Sequence, residues 1–177
     1  MPGNPPMGAE FWGGELKVLL LKFNNIDLGK TLDDTTLEPI TDVKDIMFAQ
    51  DGTQPADKVY TGMAWKLTCK VAETSNSKLA LLKPGTTAKG LSTKVGRDLY
   101  RSALTNFAKR LEATAIDSEG VASTDVHQRF IAPLAFPSIK GTIDYGPTKQ
   151  RYFEVEFYFF FDHNRGVHMW TGNWSSV

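Results

Sequence analysis

One cysteine, three histidines, a net charge of zero and no long apolar run are what this chain of 177 residues has least of. The lone Cys69 excludes an internal disulfide framework and any zinc site built on cysteines. It falls on the apolar side of an alternating stretch, where a thiol acts as a small buried hydrophobe. His163 and His168 stand beside Asp162, and His127 follows Asp125, but none has the spacing of a metal-ligand motif. No nucleophile elbow, Walker loop or dinucleotide fingerprint occurs. The stretch Gly85-Thr86-Thr87-Ala88-Lys89-Gly90 lacks the Gly-Lys-Ser/Thr ending of a phosphate cradle and reads as a flexible basic loop. The sequence therefore offers no catalytic residue, metal or cofactor. Its apolar runs, Val18 to Leu21 and Phe157 to Phe161, are too short to span a bilayer. Met1 to Gly8 has neither the basic start nor the apolar run of a signal peptide. A chain made and assembled in a cytosol, with no membrane partner, is expected.

What is present is ordinary globular composition, 41% hydrophobic and 23% charged, with eleven Phe, five Tyr and four Trp. Aromatic and β-branched residues favour sheet over helix. The length suits one domain. Residues 1–14, with their Pro and Gly, read as a flexible arm, and residues 15–177 as a single β domain. Charge is uneven: ten acids and five bases in residues 1–60, three and ten in 61–115, seven and five in 116–177. Neutrality overall argues against tight nucleic-acid binding. Oppositely charged segments can meet at a head-to-tail contact, although solvated faces account for the same asymmetry.

The stretch Asp42 to Glu73 reads as a strand, a turn-rich crossover through Gln50-Asp51-Gly52 and Pro55, and a second strand. In the second strand Met63, Trp65, Leu67, Cys69 and Val71 share one face; Ala64, Lys66, Thr68, Lys70 and Ala72 share the other. Glu15 to Phe23 reads as a buried strand, Asn24-Asn25 as a turn, and Gly29 as a site of unusual backbone. Leu32 to Pro39 reads as an acidic loop or edge. Ser75 or Asn76 caps a short helix that Pro84-Gly85 ends. From Lys94 to Glu112 the patterns conflict. Leu99, Ala103, Phe107 and Leu111 recur as on a helix, while Arg110 to Ile116 alternates; a helix followed by a strand from about Lys109 to Ile116 is predicted. Gln128 to Leu134 and Ile139 to Tyr145 are expected as separate strands, divided by Pro133 and Pro137.

The strongest strand is Arg151 to Asp162. Phe153, Val155, Phe157, Phe159 and Phe161 form its apolar face; Tyr152, Glu154, Glu156, Tyr158 and Phe160 form a mixed face suited to partial cover by another subunit. Glu154 and Glu156 lie about 7 Å apart on that face, within the geometry of a glycosidase pair, but no other polar cluster supports a sugar site.

The steps Asp27-Leu28-Gly29-Lys30-Thr31, Gln50-Asp51-Gly52 to Pro55, Tyr60-Thr61-Gly62 and Val71-Ala72-Glu73 with a helix after it, in this order with a closing Glu-aromatic strand, resemble bacteriophage tail tube (major tail) proteins. The resemblance spans roughly Lys17 to Val177. It implies a mainly β fold, a β-sandwich or barrel with one or two short helices packed on it. It also implies hexameric rings whose inner strands join neighbours, stacked into a tube in the virion tail after assembly in the host cytoplasm. Partners would be other copies of the chain, tape measure and terminator proteins and, in a contractile tail, a sheath. DNA would pass through without specific binding.

With four strands from each of six subunits at about 4.8 Å spacing and 35–45° tilt, the barrel radius is roughly 22–26 Å, wide enough for duplex DNA. Carboxylates in such a bore repel phosphate without holding it. Glu154 and Glu156 are expected to line it, with Lys66 and Lys70 beside them neutralised by cross-strand pairing. A second contact is expected between subunits, with Asp42 and Asp45 of an acidic loop facing Lys83, Lys89 and Lys94 of a basic one. Two other classes fit the sequence: a tube protein of a contractile injection or type VI-like device, and a monomeric β-barrel whose aromatic face lines a pocket for a small apolar ligand.

Overall fold

Alternation of apolar and polar residues is the dominant pattern in the chain, and strands are what it produces. The computed structural model describes residues 19–29, 31–46, 57–72, 74–89, 92–94, 103–116, 121–124, 129–140 and 152–172. β1 (Leu19–Phe23) and β2 (Ile26–Asp27) are joined by Asn24 and Asn25, both at positive φ (53° and 63°). That is the backbone a two-residue hairpin turn requires, and asparagine tolerates it better than other side chains. Gly29 is also at positive φ (82°), and its N–H donates to Asp27 Oδ1 at 2.7 Å.

β3 (Thr31–Ile46) and β4 (Asp57–Val71) pair antiparallel, with bulges opposite Cys69 and beside Thr61. The acidic segment from Leu32 to Asp45 is thus an edge strand of the sheet and not a loop. The connection between the strands, residues 47–56, lies outside the described residues. On β4, Leu67, Cys69 and Val71 are buried, but Met63 is 44% exposed, so the apolar face runs past the end of the core.

Ser75 caps α1 (Asn76–Leu82), its hydroxyl accepting from Lys78 N at 3.3 Å. The helix ends before Pro84 and Gly85 (φ 81°), as the sequence predicts. Leu82 is fully buried and Leu79 and Leu81 pack on the core, while Lys78 Nζ donates to the Asp27 carbonyl. The basic stretch that follows contains a small hairpin, β5 (Thr87–Lys89) and β6 (Ser92–Lys94), and is not simply a loop.

A four-residue 3-10 turn at Leu104–Phe107 buries none of its residues and stands where part of a helix was expected. Leu111, the last residue of the supposed helical repeat, belongs to β7 (Lys109–Ala115). The rest of that segment, residues 95–102, is outside the described residues.

β8 (Arg129–Lys140) runs continuously through both prolines, correcting the expected break into two strands. Its register against β7 jumps from Leu111↔Ala132 to Lys109↔Ala135, so Pro133 and Leu134 together oppose Arg110 in a bulge. Beyond it, Phe160 N donates to Leu134 O, which makes the even residues of β8 the hydrogen-bonding partners of the next strand. Pro137 therefore directs its nitrogen to the opposite side, past the last β7 pair at Ala135, and leaves no ladder bond unmade. Residues 141–145 of the second expected strand lie outside the described residues.

β9 (Phe153–Phe159) alternates buried and half-buried along its whole length, and β10 (Trp170–Thr171) pairs with the first half of β8. Phe161 leaves the apolar face. It is 40% exposed and lies edge-on to His163 (5.0 Å) and His168 (5.1 Å). The strand stops there because Asp162 starts a turn, accepting from Asn164 N (3.0 Å) and Arg165 Nη1 (2.9 Å).

Eight of the ten described strands form one antiparallel sheet in the order β2-β1-β7-β8-β9-β4-β3, with β10 beside β8, and β5 and β6 pair separately. The sheet is curled. The rings of Phe23 on β1 and Phe157 on β9 meet at 5.4 Å although β7 and β8 lie between their strands. The protein is therefore mainly β and barrel-like, with the short helix α1 packed against the core. Phe23, Leu67, Phe130, Phe153, Phe157 and Phe159 fill the interior. Among the described residues no helix is long and apolar enough to cross a membrane.

Candidate functional site

Strand alternation that sends Leu67, Cys69, Val71 and the odd residues of β9 inward sends their neighbours to the opposite face of the sheet. Register aligns those neighbours in rows across four strands. One row is Glu38-Lys66-Tyr158-Phe136, the next is Thr36-Thr68-Glu156-Ser138, and the third brings Lys70, Glu154 and Lys140 side by side. Glu154, Glu156, Lys66 and Lys70 therefore do share one surface, as the alternation predicts.

The charges on this face form a chain. Lys66 Nζ lies 2.6 Å from Glu38 and 3.6 Å from Glu156, and Lys140 Nζ lies 3.2 Å from the other oxygen of Glu156. Tyr158 donates its hydroxyl to Glu156 at 2.6 Å. Lys70 sits opposite Glu154 in register, with its ammonium 5.4 Å from the Tyr152 ring centroid. Three lysines and three glutamates make the patch neutral, linking β3, β4, β9 and β8 by alternating charge. Sequence reasoning missed Glu38 and Lys140, and it placed Tyr158 on this face without its bond to Glu156. Glu38 is hidden because its acidic segment reads as a loop or edge, and Lys140 because Pro133 and Pro137 read as dividing the strand that carries it.

The Tyr158 hydrogen bond holds the Glu156 carboxyl below its ordinary range, and Lys140 and Lys66 add to this. Lys66 and Lys140 are raised in turn, by hydrogen bonds to Glu38 and Glu156 respectively. Glu156 is held ionised, whereas a glycosidase acid needs its pKa raised. A depressed carboxylate contributes stability above its unfolded pKa of about 4.3, and that contribution is lost as pH falls through the folded value. Glu156→Gln is expected to lower stability at neutral pH by about 1 kcal/mol, given the partial exposure of the network, and to flatten the acid limb of the profile. Urea unfolding between neutral pH and pH 3 measures both; an acid limb as steep as that of the parent chain would show that Glu156 does not carry the linkage.

The other predicted group is spread over several elements. Asp42 is exposed on β3, where Asp45 also lies, opposite Lys58 in register. Lys83 is exposed at the end of α1, Lys89 is on β5 and Lys94 on β6. The acids thus sit on an edge strand, and the bases on a helix end and a separate hairpin.

β3 is the outer strand of its side of the sheet, and its edge carries a specific device. The ladder alternation that starts from Phe160 N→Leu134 O passes through β9 and β4 and gives the even residues of β3 the hydrogen bonds to β4. The N–H groups of Leu37 and Thr41 therefore point away from the sheet, and Pro39 between them has none to offer. A proline at this position breaks no internal bond and limits indiscriminate strand addition. Burial pushes the Cys69 thiol up to about 12, which leaves it unreactive. Among the described residues, no group of three or more His, Cys, Asp or Glu could hold a metal ion.

No protein-family model matches the chain, and no curated protein matches it.

Proposed function

We propose that the protein is the structural subunit of a bacteriophage tail tube, forming six-membered rings that stack into a conduit for DNA. The observation that carries this reading is a charge-compensated polar face spanning four adjacent strands and ending on a sixteen-residue edge strand. Four strands are the share that a 24-stranded barrel of duplex-sized bore asks of each subunit, at roughly 4.8 Å per strand.

The charge chain fits the task of letting a polyanion slide. Each lysine of the face stands beside a carboxylate, so its attraction for phosphate is offset locally, and passing DNA meets neither a binding stripe nor a strong barrier. Glu154, Glu156, Lys66 and Lys70 line the bore in this proposal, joined by Glu38 and Lys140. Asp42 and Asp45 of one copy face Lys83, Lys89 and Lys94 of another. Tape measure and terminator proteins are the further partners. The face of β9 that a ligand-binding barrel would use as a pocket is instead filled with packed side chains, with Phe153, Val155, Phe157 and Phe159 at 0–3% exposure.

Negative-stain electron microscopy of the purified chain over a concentration series tests the proposal. Rings or hollow tubes of six-fold appearance are the expected result; a chain that remains monomeric at every concentration overturns it.

A further inference from the structure

The outer edge of β3 is guarded by a single residue. No described strand pairs with this edge, and residues 38–42 are all exposed. The longest unbroken register of β3 with β4 runs from Thr36 to Asp42, with a bulge beyond each end, and Pro39 is its central residue. Bulges bend a strand, so this window is the straight edge that another strand can meet. An exposed edge of this kind pairs with other edges unless something prevents it, and charged side chains are a common protection. Here the Glu38 carboxylate is taken up by Lys66 Nζ at 2.6 Å, and the neighbouring Ile40 is 40% exposed. Charge alone leaves the middle of the edge open.

We propose that Pro39 is a gatekeeper that bars two copies of this chain from pairing β3 to β3. The window is self-complementary. In an antiparallel pair related by a two-fold axis at Pro39, Leu37 meets Thr41 of the second copy, Pro39 meets Pro39, and Thr41 meets Leu37. These odd residues direct their backbone groups outward, and each such pair would exchange two hydrogen bonds if position 39 had an N–H. Pro39 removes both bonds of the central pair, one from each copy, and sets each pyrrolidine ring against the opposing carbonyl. Symmetry thus doubles the effect of one residue. The charged side chains offer no comparable obstacle, because Glu38 then lies opposite Ile40 and Asp42 opposite Thr36, with no like charges directly paired. The inference concerns two isolated copies and holds whether or not they go on to form rings. In the tail tube reading, Pro39 keeps the edge open for a different strand of the next subunit.

Sedimentation velocity of full-length Pro39→Thr, at concentrations below those at which the parent chain assembles, tests the proposal. A dimer is expected, with self-association at least about thirtyfold tighter than the parent's, from two restored hydrogen bonds and a relieved clash. Amide hydrogen exchange followed by NMR should slow at Leu37 and Thr41 in that dimer and stay unchanged at Ile40, which is already bonded to β4. Adding Thr41→Pro to Pro39→Thr should return the chain to monomer, because it removes a bond from each outer pair. Position 39 makes no bond to β4, so the fold should be kept. Circular dichroism checks this, and Pro39→Ala, which also restores the N–H, takes over if the threonine variant does not fold. Variants that associate no more tightly than the parent, or a dimer in which Leu37 and Thr41 exchange as fast as in the monomer, overturn the inference. Absence of rings from the parent chain bears on the tail tube reading alone.

Discussion

Phe157→Ala is expected to lower the free energy of unfolding by about 3–5 kcal/mol, among the largest effects a single substitution here can have. Phe157 is fully buried at the centre of β9, and its ring meets Phe23 from the other side of the curled sheet at 5.4 Å. Truncation removes the transfer free energy of the ring and leaves a cavity between two parts of one sheet that cannot easily close. Domains of this size are stable by roughly 5–15 kcal/mol, so the loss is a large fraction of the total and corresponds to a fall in Tm of roughly 10 °C. Phe161→Ala is the internal comparison. The sequence puts both residues on one strand face, but Phe161 is 40% exposed beyond the strand end, and its truncation is expected to change stability by less than about 1 kcal/mol. Urea melts of the two variants with unchanged m-values decide the matter. Equal losses would mean that the burial contrast along β9 is wrong.

In the proposed tube, Thr41→Pro is expected to leave the folded monomer intact and to raise the concentration needed for ring assembly at least about tenfold, since a subunit contact made through the β3 edge would lose a hydrogen bond and gain a clash. Thr41 is exposed, lies two residues from Pro39, and directs its N–H outward by the same alternation. No bond to β4 is broken, so thermal stability should stay within about 0.5 kcal/mol of the parent chain. The neighbouring Ile40→Pro removes an inward ladder bond instead and should destabilise the monomer itself. Light scattering during assembly, with circular dichroism for the fold, separates the two effects. Unimpaired assembly by a folded Thr41→Pro protein would remove β3 as the edge that joins subunits. The proposed bore would then need another boundary.

Much of the fold was legible because its causes are local. The Asn24-Asn25 turn, the Ser75 cap, the Pro84-Gly85 stop and the burial alternation of β4 and β9 each depend on residues a few positions apart. Errors arose where distant partners decide. Pro133 and Pro137 look like strand breakers until the bulge opposite Arg110 and the early end of β7 remove the need for their N–H groups. Leu99 to Leu111 suggests a helix by spacing, but Leu111 is taken into β7 by pairing with β1 and β8.

The candidate site divides in the same way. That Lys66, Lys70, Glu154 and Glu156 avoid the core follows from a period of two, which each strand carries in its own sequence. That Lys66 stands between Glu38 and Glu156, that Lys140 reaches Glu156, and that Arg110 and Arg129 converge on Glu112 depends on register between strands whose paired charges lie up to 90 residues apart. Sequence alone determined which side chains turn away from the apolar interior, because burial of apolar surface acts on every strand separately. Only the tertiary structure decided which charges meet, because strand order and register are set by the packing of the whole sheet.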